Sequence, residues 1–430
     1  MQAVDKPTSR GWAMWALGAC FYFVAVFHRM ALGVAGLTAE NHLHVDKGEL
    51  ASFTALQFLV YLAMQVPAGI AIDRIGPRRM LAAGLALMGV GETIFALASG
   101  LALGLAGRAL VGVGDAFIFL SVLRLAHAWF PPRMGALLAT LTGMAGALGQ
   151  LIGTIPLQWA LSNLGWLATF ASAGAITAAL AFVSLGAIRD RPAHVRAVAS
   201  HEHAAMLATL RAAWRRPGTR HGFWVHLGLF CPFQVIGALW GVPFLVQGEH
   251  FTEAKAATYL FLLVAAFAAS GPLVGVLAGH RIQRQNRVVL ALGALLLIPW
   301  TAILLWPGGN VPHAVLLAGF IVCGGTAPAG MVAFDIGRRE SPALASGSAT
   351  ALVNCGGFLG AVICLELVGL LLGGGKPTGT GFQHALLPML VLSAFALVQS
   401  VRLARHRERA QRLTPPPSEA TASTTAVLTG

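Results

Sequence analysis

Long apolar segments alternate with short polar ones along nearly the whole chain. Each apolar run has about 20 residues, enough to cross the hydrocarbon layer of a membrane. Backbone polar groups inside lipid must bond to one another, so runs of this length are predicted to be helices. The predicted spans lie near 11–35, 48–72, 80–98, 104–128, 135–158, 165–187, 222–247, 257–279, 288–306, 312–333, 344–372 and 383–401.

Composition supports this interpretation of the pattern. Of the 430 residues, 57% are hydrophobic and only 10% are charged, whereas soluble domains average about 25% charged residues. The abundant glycine (51 residues) fits closely packed membrane helices. The predicted fold class is therefore all-α and integral to the membrane, with twelve transmembrane helices.

The formal charge of +13 is a second pattern, and its distribution indicates topology. With the N-terminus inside, all but six of the 29 Lys and Arg fall in cytoplasmic segments. Three lie within spans and three, Lys47, Lys255 and Lys376, lie in outer loops. This follows the positive-inside rule, so the charge does not indicate a nucleic-acid surface. We expect both termini in the cytoplasm and a multi-pass protein of a bacterial inner membrane.

The polar segments divide the chain into four parts. We predict a six-helix bundle over 1–188, a cytoplasmic loop over 189–221, a second bundle over 222–402 and a disordered tail over 403–430. The stretch from Leu207 to Arg220 is basic and amphipathic, as expected of a helix at the lipid headgroups. The five cysteines lie within predicted spans and match neither a disulfide framework nor a metal-site spacing.

The two bundles look like a repeat. Gly69–Arg79 (GIAIDRIGPRR) follows the second span and Gly275–Arg287 (GVLAGHRIQRQNR) follows the eighth. Two pseudo-symmetric halves of six helices place a substrate site between them near the membrane midplane.

The first of these segments resembles the loop between helices two and three of the major facilitator superfamily. The matching positions are Gly69, Asp73, Arg74, Gly76, Arg78 and Arg79. A second match is Arg108-Ala-Leu-Val-Gly-Val-Gly114, similar to the R-x-x-x-G-x-G of that family. The resemblance implies a secondary transporter that works by alternating access, without a cofactor.

The resemblance also implies that the loop latches the two halves on the cytoplasmic side. We hypothesise that Asp73 caps the start of span eleven and that Arg78 reaches Asp335. The alternative is anchoring of the basic residues at the headgroups, a role for which an acid is not needed.

Ionisable residues within spans are costly, roughly 2.5–3.5 kcal/mol at the centre, so each needs a reason. Arg29 shares a face of span one with Tyr22, two turns earlier. Its place resembles that of the first-helix Arg of organic-anion members of the superfamily, which implies binding of a carboxylate or phosphate. The alternative is an Arg that extends to the outer headgroups.

Arg108 and Asp115 are seven residues apart on one face of span four. They either pair loosely or each takes a partner on a neighbouring helix. Asp115, near the middle of its span, is the first candidate for proton coupling, Glu92 is the second, and the resemblance implies a contribution from Arg108. A structural polar pair is the competing interpretation.

Neutral polar residues within spans give weaker candidates for substrate binding. Hydrogen bonding between helices explains most such residues. The candidates are Gln57, Gln234, Trp240 and Asn354.

These observations favour proton-coupled transport of a small organic anion by a monomer in a lipid bilayer. The alternatives are a proton-driven exporter of drugs or metabolites and, more remotely, a membrane sensor that does not transport. The sequence has no Walker A motif, no H-E-x-x-H and no G-x-S-x-G. An ATP-driven pump or an enzyme is therefore not predicted, and no metal or cofactor is expected.

Overall fold

The computed structural model describes residues 7–131, 134–192, 206–279, 281–338, 346–373 and 378–413. Within these ranges the chain is helical and contains no strand. Ten of its segments are long and apolar enough to cross a membrane. The predicted all-α membrane fold is confirmed, while the count of twelve spans stays a prediction.

The first half of the chain forms seven helices, and local sequence explains where several of them begin. At the start of the helix Lys47–Ile75 the Asp46 carboxylate accepts from Glu49 N at 2.8 Å, and the Glu49 carboxylate accepts from Asp46 N at 3.0 Å. This capping box satisfies backbone donors that a helix start leaves open. The helices are α1 Ser9–Met30, α2 Leu32–Leu43, α3 Lys47–Ile75, α4 Pro77–Leu97, α5 Leu101–Trp129, α6 Gly135–Ile152 and α7 Ile155–Ala187.

The apolar segment Leu141–Ala187 has 47 residues, the length of two crossings. Gly165 interrupts α7 with φ 76° and ψ 177°, a conformation that glycine adopts without a steric penalty. The interruption lies where the sequence separates the fifth predicted span from the sixth.

The second half contains the remaining helices, and its first span is irregular. Two π-helical turns, Ile236–Trp240 and Phe244–Gly248, follow Pro232 in that span. The helices are α8 Met206–Trp214, α9 Pro217–Val235, α10 Gly241–Pro243, α11 Glu253–Ala278, α12 Ile282–Leu304, α13 His313–Thr326, α14 Ala329–Arg338, α15 Ser346–Leu372 and α16 Gly379–Leu413. We refer to Ser9–Ala187 as the N half and to Pro217–Leu413 as the C half.

Two predicted boundaries differ from the structure. The C half begins at Pro217, inside the predicted central loop, and α16 continues to Leu413, beyond the predicted start of a tail at 403. Tertiary contacts explain the extension: Arg407 Nη1 lies 2.9 Å from His221 Nδ1, and Asn286 donates to Glu408 at 2.8 Å. Residues 403–413, which the sequence assigned to the tail, thus continue α16, and 414–430 lie outside the described residues.

The halves meet closely at the end of the bundle that includes Lys47 and Glu253. A Cβ on Gly33 of α2 would lie 2.0 Å from the carbonyl oxygen of Gly237 in the C half, so only glycine allows this approach. Gln158 donates to Glu253 across the same junction at 2.7 Å. Small residues of this kind let membrane helices pack backbone to backbone.

Candidate functional site

A buried ion pair lies in the N half. Arg29 donates to the Asp115 carboxylate through Nε and Nη2, both at 2.7 Å. Arg29 is 4% exposed and Asp115 is 0% exposed. The paired geometry is the one in which a guanidinium binds a carboxylate most strongly. Arg29 thus does not extend to the headgroups, and Asp115 has its partner on α1.

Aromatic rings surround the Arg29 guanidinium, one of them from the other half. The guanidinium carbon lies 5.8 Å from the centre of the Tyr22 ring, 4.9 Å from Tyr61 and 5.7 Å from Phe358. Asn354, one turn before Phe358 on α15, hydrogen-bonds Tyr61. Because α15 belongs to the C half, the ion pair lies at the junction where the fold predicts a substrate site.

A second charged cluster surrounds Arg108. Its guanidinium donates to Glu92 at 3.5 Å, to the His28 carbonyl at 3.1 Å and to the Gln57 side-chain oxygen. Arg108 and Glu92 are both 0% exposed. Of the two arrangements that the sequence left open, the structure shows the second, because Arg108 and Asp115 each take a partner on a neighbouring helix.

Sequence reasoning did not select His28, the residue before Arg29, as a site residue. His28 is 1% exposed. Its Nδ1 lies 3.4 Å from Glu92 Oε2 and its Nε2 lies 2.7 Å from Thr177 Oγ1. The available signal was that His28 lies within a predicted span, where a polar side chain needs a partner.

Both buried cations thus have a buried carboxylate, which lowers the cost of holding charge in lipid. Among the described residues, no group of three or more His, Cys, Asp or Glu side chains is placed to hold a metal ion. The geometry suits binding of an anion and of protons.

The C half holds the remaining substrate-binding candidates. Trp240 is fully buried and its ring N–H donates to the Leu365 carbonyl at 3.2 Å, which joins the first span of this half to α15. Gln234 is also fully buried, and neither atom of its amide has a hydrogen-bond partner.

The motif between α3 and α4 shows a contact that the sequence did not suggest. Gly76 has φ 92°, and a Cβ there would lie 2.6 Å from the Asp190 carboxylate. The same carboxylate accepts from the backbone N–H of Arg78 at 2.6 Å. Asp190 therefore occupies the positive N-terminus of α4, the kind of position proposed for Asp73 at another helix.

The predicted latch itself stays a prediction. The side chain of Asp73 and residues 339–345 before α15 lie outside the described residues. Asp335 accepts from Gln285 of its own half at 2.7 Å. Arg74 and Arg79 are exposed, and a Cβ on Gly69 would meet nothing within 4 Å.

The chain is similar in sequence to several named transporters. "Putative tartrate transporter" of Agrobacterium vitis is 26% identical over 198 residues, 44% of this chain and 46% of that protein, so the match spans less than half of its length. "Probable anion transporter 5" of Arabidopsis thaliana is 22% identical over 383 residues, 84% of this chain and 88% of that protein.

A crystal structure of a bacterial homolog to the human lysosomal transporter Spinster superposes with a TM-score of 0.75 at 14% identity, over 96% of this chain and 100% of that one. This likeness shows the fold. A sequence model of the Major Facilitator Superfamily matches residues 18–365, most of both halves. The chain is a multi-pass membrane protein that belongs to the Major Facilitator Superfamily.

Proposed function

We propose that this protein is a secondary active transporter that moves a small organic anion together with a proton. The observation that carries the proposal is the paired hydrogen bonding between Arg29 and Asp115 at the junction of the halves. In this arrangement the Asp115 carboxylate accepts the two hydrogen bonds that the Arg29 guanidinium could otherwise donate to the carboxylate of a substrate.

Protonation and anion binding are linked through this pair. A proton on Asp115 removes its negative charge and weakens its hold on Arg29. The released guanidinium then needs an anion, since an unpaired charge inside the membrane is costly. Conversely, a bound anion stabilises the protonated form of Asp115. Proton and anion therefore bind best together, as a symporter requires.

The surroundings of Asp115 are consistent with this role. Its neighbours with titratable or charged groups are Arg29 and Tyr22 on α1, Tyr61 on α3 and Arg108 on its own helix. Arg29, Tyr22 and Tyr61 come from helices packed against α5, and Arg108 lies two turns before Asp115. In the proposal Glu92 is the second proton-binding group, and His28 and Arg108 hold it in position.

Movement between the halves would carry the anion across. For the site to open at that end, the halves must move apart. Gly33 must then leave Gly237, and the hydrogen bond between Gln158 and Glu253 must break. The loop from Gly69 to Arg79 is the proposed latch at the other end. The names of the tartrate and anion transporters among its relatives support an anionic substrate.

Uptake into proteoliposomes tests the proposal. Radiolabelled organic acids are offered at an outside pH of about 6 and an inside pH of about 7.5, with protein-free liposomes to subtract passive entry. We expect gradient-driven uptake of at least one acid. Arg29→Ala should abolish it, and Asp115→Asn should abolish the dependence on the gradient while exchange of the anion continues.

Arg124→Ala is the matched control, because Arg124 lies on the same helix as Asp115 but is exposed. Uptake that survives Arg29→Ala would contradict the anion site. Expulsion of a cationic dye, with no acid transported, would assign the protein to export. The absence of any transported solute, with binding retained, would favour a sensor.

A further inference from the structure

The Arg29 guanidinium adjoins a continuous aromatic surface in the C half. Its members, named here the aromatic surface, are His226, Phe230, Phe233, Phe267, Phe334 and Phe358. Phe358 lies 5.7 Å from the guanidinium and 6.1 Å from the Phe230 ring. Phe230 stacks on His226 at 4.7 Å, and His226 contacts Phe334 at 5.0 Å.

The surface continues toward α11. Phe230 lies 5.8 Å from Phe233, which stacks on Phe267 at 4.9 Å. Four helices of the C half, α9, α11, α14 and α15, thus contribute rings to it. Phe230, Phe267 and Phe334 are half-buried. Phe358 is 3% exposed because it packs on Phe58 and Tyr61 of the N half, so a ligand would reach it when the halves separate.

This surface contains no acid, Lys or Arg. His226 Nδ1 lies 3.0 Å from the Gly330 carbonyl oxygen. A carbonyl oxygen only accepts hydrogen bonds, so Nδ1 must be the donor. The ring therefore carries its proton on Nδ1. Its Nε2 is buried against Gly357 and has no hydrogen-bond partner.

One anionic group is all that the site can balance. Arg108, the other cation nearby, is fully buried and already engaged by Glu92, Gln57 and the His28 carbonyl. A second carboxylate on the substrate would face the aromatic surface without a counter-charge, and burying it there would be costly.

From these features we infer that the transported anion is a monocarboxylate bearing an aromatic ring. The carboxylate binds Arg29, and the ring packs on Phe358 and Phe230. Aromatic pairs gain from such packing beyond the area they bury. The hydroxyl groups of a polyhydroxylated acid would instead lose their hydrogen bonds to water, and the rings offer no hydrogen-bond partners in exchange. The inference rests on the proposed function, since it names the substrate class of the same site.

Calorimetric titration of the purified full-length protein tests the inference. Binding is measured rather than uptake, because the protonated, uncharged form of an aromatic acid crosses a liposome membrane without a carrier. The ligands are 4-hydroxybenzoate and galacturonate, two monocarboxylates with a six-membered ring, one aromatic and one polyhydroxylated. We expect 4-hydroxybenzoate to bind at least about tenfold more tightly.

Phe358→Leu removes the aromatic ring but keeps an apolar side chain. We expect binding of 4-hydroxybenzoate to weaken about 2- to 12-fold, the range expected for one aromatic pair, with galacturonate unaffected. Phe320→Leu is the matched control, since Phe320 is a fully buried aromatic of the same half outside the aromatic surface. Phe230→Leu serves as the second variant should Phe358→Leu fail to fold.

The inference is overturned if galacturonate binds as tightly as 4-hydroxybenzoate in the wild type. It is also overturned if neither Phe358→Leu nor Phe230→Leu changes the affinity. Arg29-dependent uptake of a polyhydroxylated acid, without binding of aromatic acids, would leave the proposed function standing and reject only this substrate class. Binding of 4-hydroxybenzoate that Arg29→Ala does not weaken would reject both.

Discussion

The two halves of this protein share an architecture and differ in chemistry. The N half buries Arg29, Arg108, Glu92 and Asp115 within its helices, together with His28. At the junction the C half instead presents the aromatic surface and the uncharged amide of Asn354. The halves of the internal repeat thus have similar helices but different interiors.

The difference shows how a membrane protein lowers the free-energy cost of burying charged side chains. Four ionised groups in one half neutralise one another in two pairs, so none is left without a partner. The aromatic surface of the other half carries no charged side chain and contributes apolar contact instead. In the proposed function, a site between the halves would combine one balanced charge with one apolar wall, which suits a small amphipathic anion.

The largest effect that would sharpen this comparison is expected from Arg108→Met. The substitution leaves the fully buried Glu92 without its guanidinium partner. Breaking a buried pair from one side costs about 3–5 kcal/mol. We expect the free energy of unfolding, measured by SDS titration in mixed micelles, to fall by about that amount.

The double variant Arg108→Met/Glu92→Gln controls for lost packing. Because it removes both charges, it should recover at least half of the loss. Equal destabilisation by the single and double variants would show that the charge balance of the N half contributes little to its stability.

A smaller effect is expected where the two halves touch. Gly33→Ala introduces a methyl group that would lie 2.0 Å from the Gly237 carbonyl oxygen. Overpacking of this kind costs about 1–3 kcal/mol, and unfolding by SDS should report it. Gly143→Ala is the matched control, since a Cβ at Gly143 meets nothing within 4 Å. Similar stability of both variants would contradict the close approach of the halves.

Two glutamines allow the halves to be compared with one substitution. Gln57→Leu in the N half removes an acceptor of Arg108, so it should destabilise the protein by about 1–3 kcal/mol. Gln234→Leu in the C half removes an amide without a partner, so it should be neutral or stabilising. The sign of the difference between the two unfolding free energies is the measurement, and equal losses would break the comparison.

The smallest effect concerns the extension of α16, a tether particular to the C half. Glu408→Ala removes the bond from Asn286 and should lower the free energy of unfolding by about 0.5–1.5 kcal/mol. The neighbouring Arg409 is exposed, so Arg409→Ala should have no measurable effect. A loss shared by both variants would attribute the change to helix propensity rather than to the contact.

Local sequence was sufficient for the elements and for the family. Apolar runs long enough to span lipid must form helices, because no water satisfies their backbone there. The family motif from Gly69 to Arg79 and the charges within spans could be read directly, and Arg29 and Asp115 were both predicted as site residues. These conclusions rest on residues that are close in sequence, mostly within one or two helical turns of one another.

Pairing between helices required the tertiary structure. Arg108 and Asp115 lie on one helix face, yet their partners, Glu92 and Arg29, come from α4 and α1. The partner of Gly76 is Asp190, 114 residues away in the chain, and the helix beyond Ala404 is held through Arg407 and Glu408. Sequence spacing fixes which residues share a face of one helix. The rotation and depth of neighbouring helices decide which faces meet, and these depend on packing over the whole bundle.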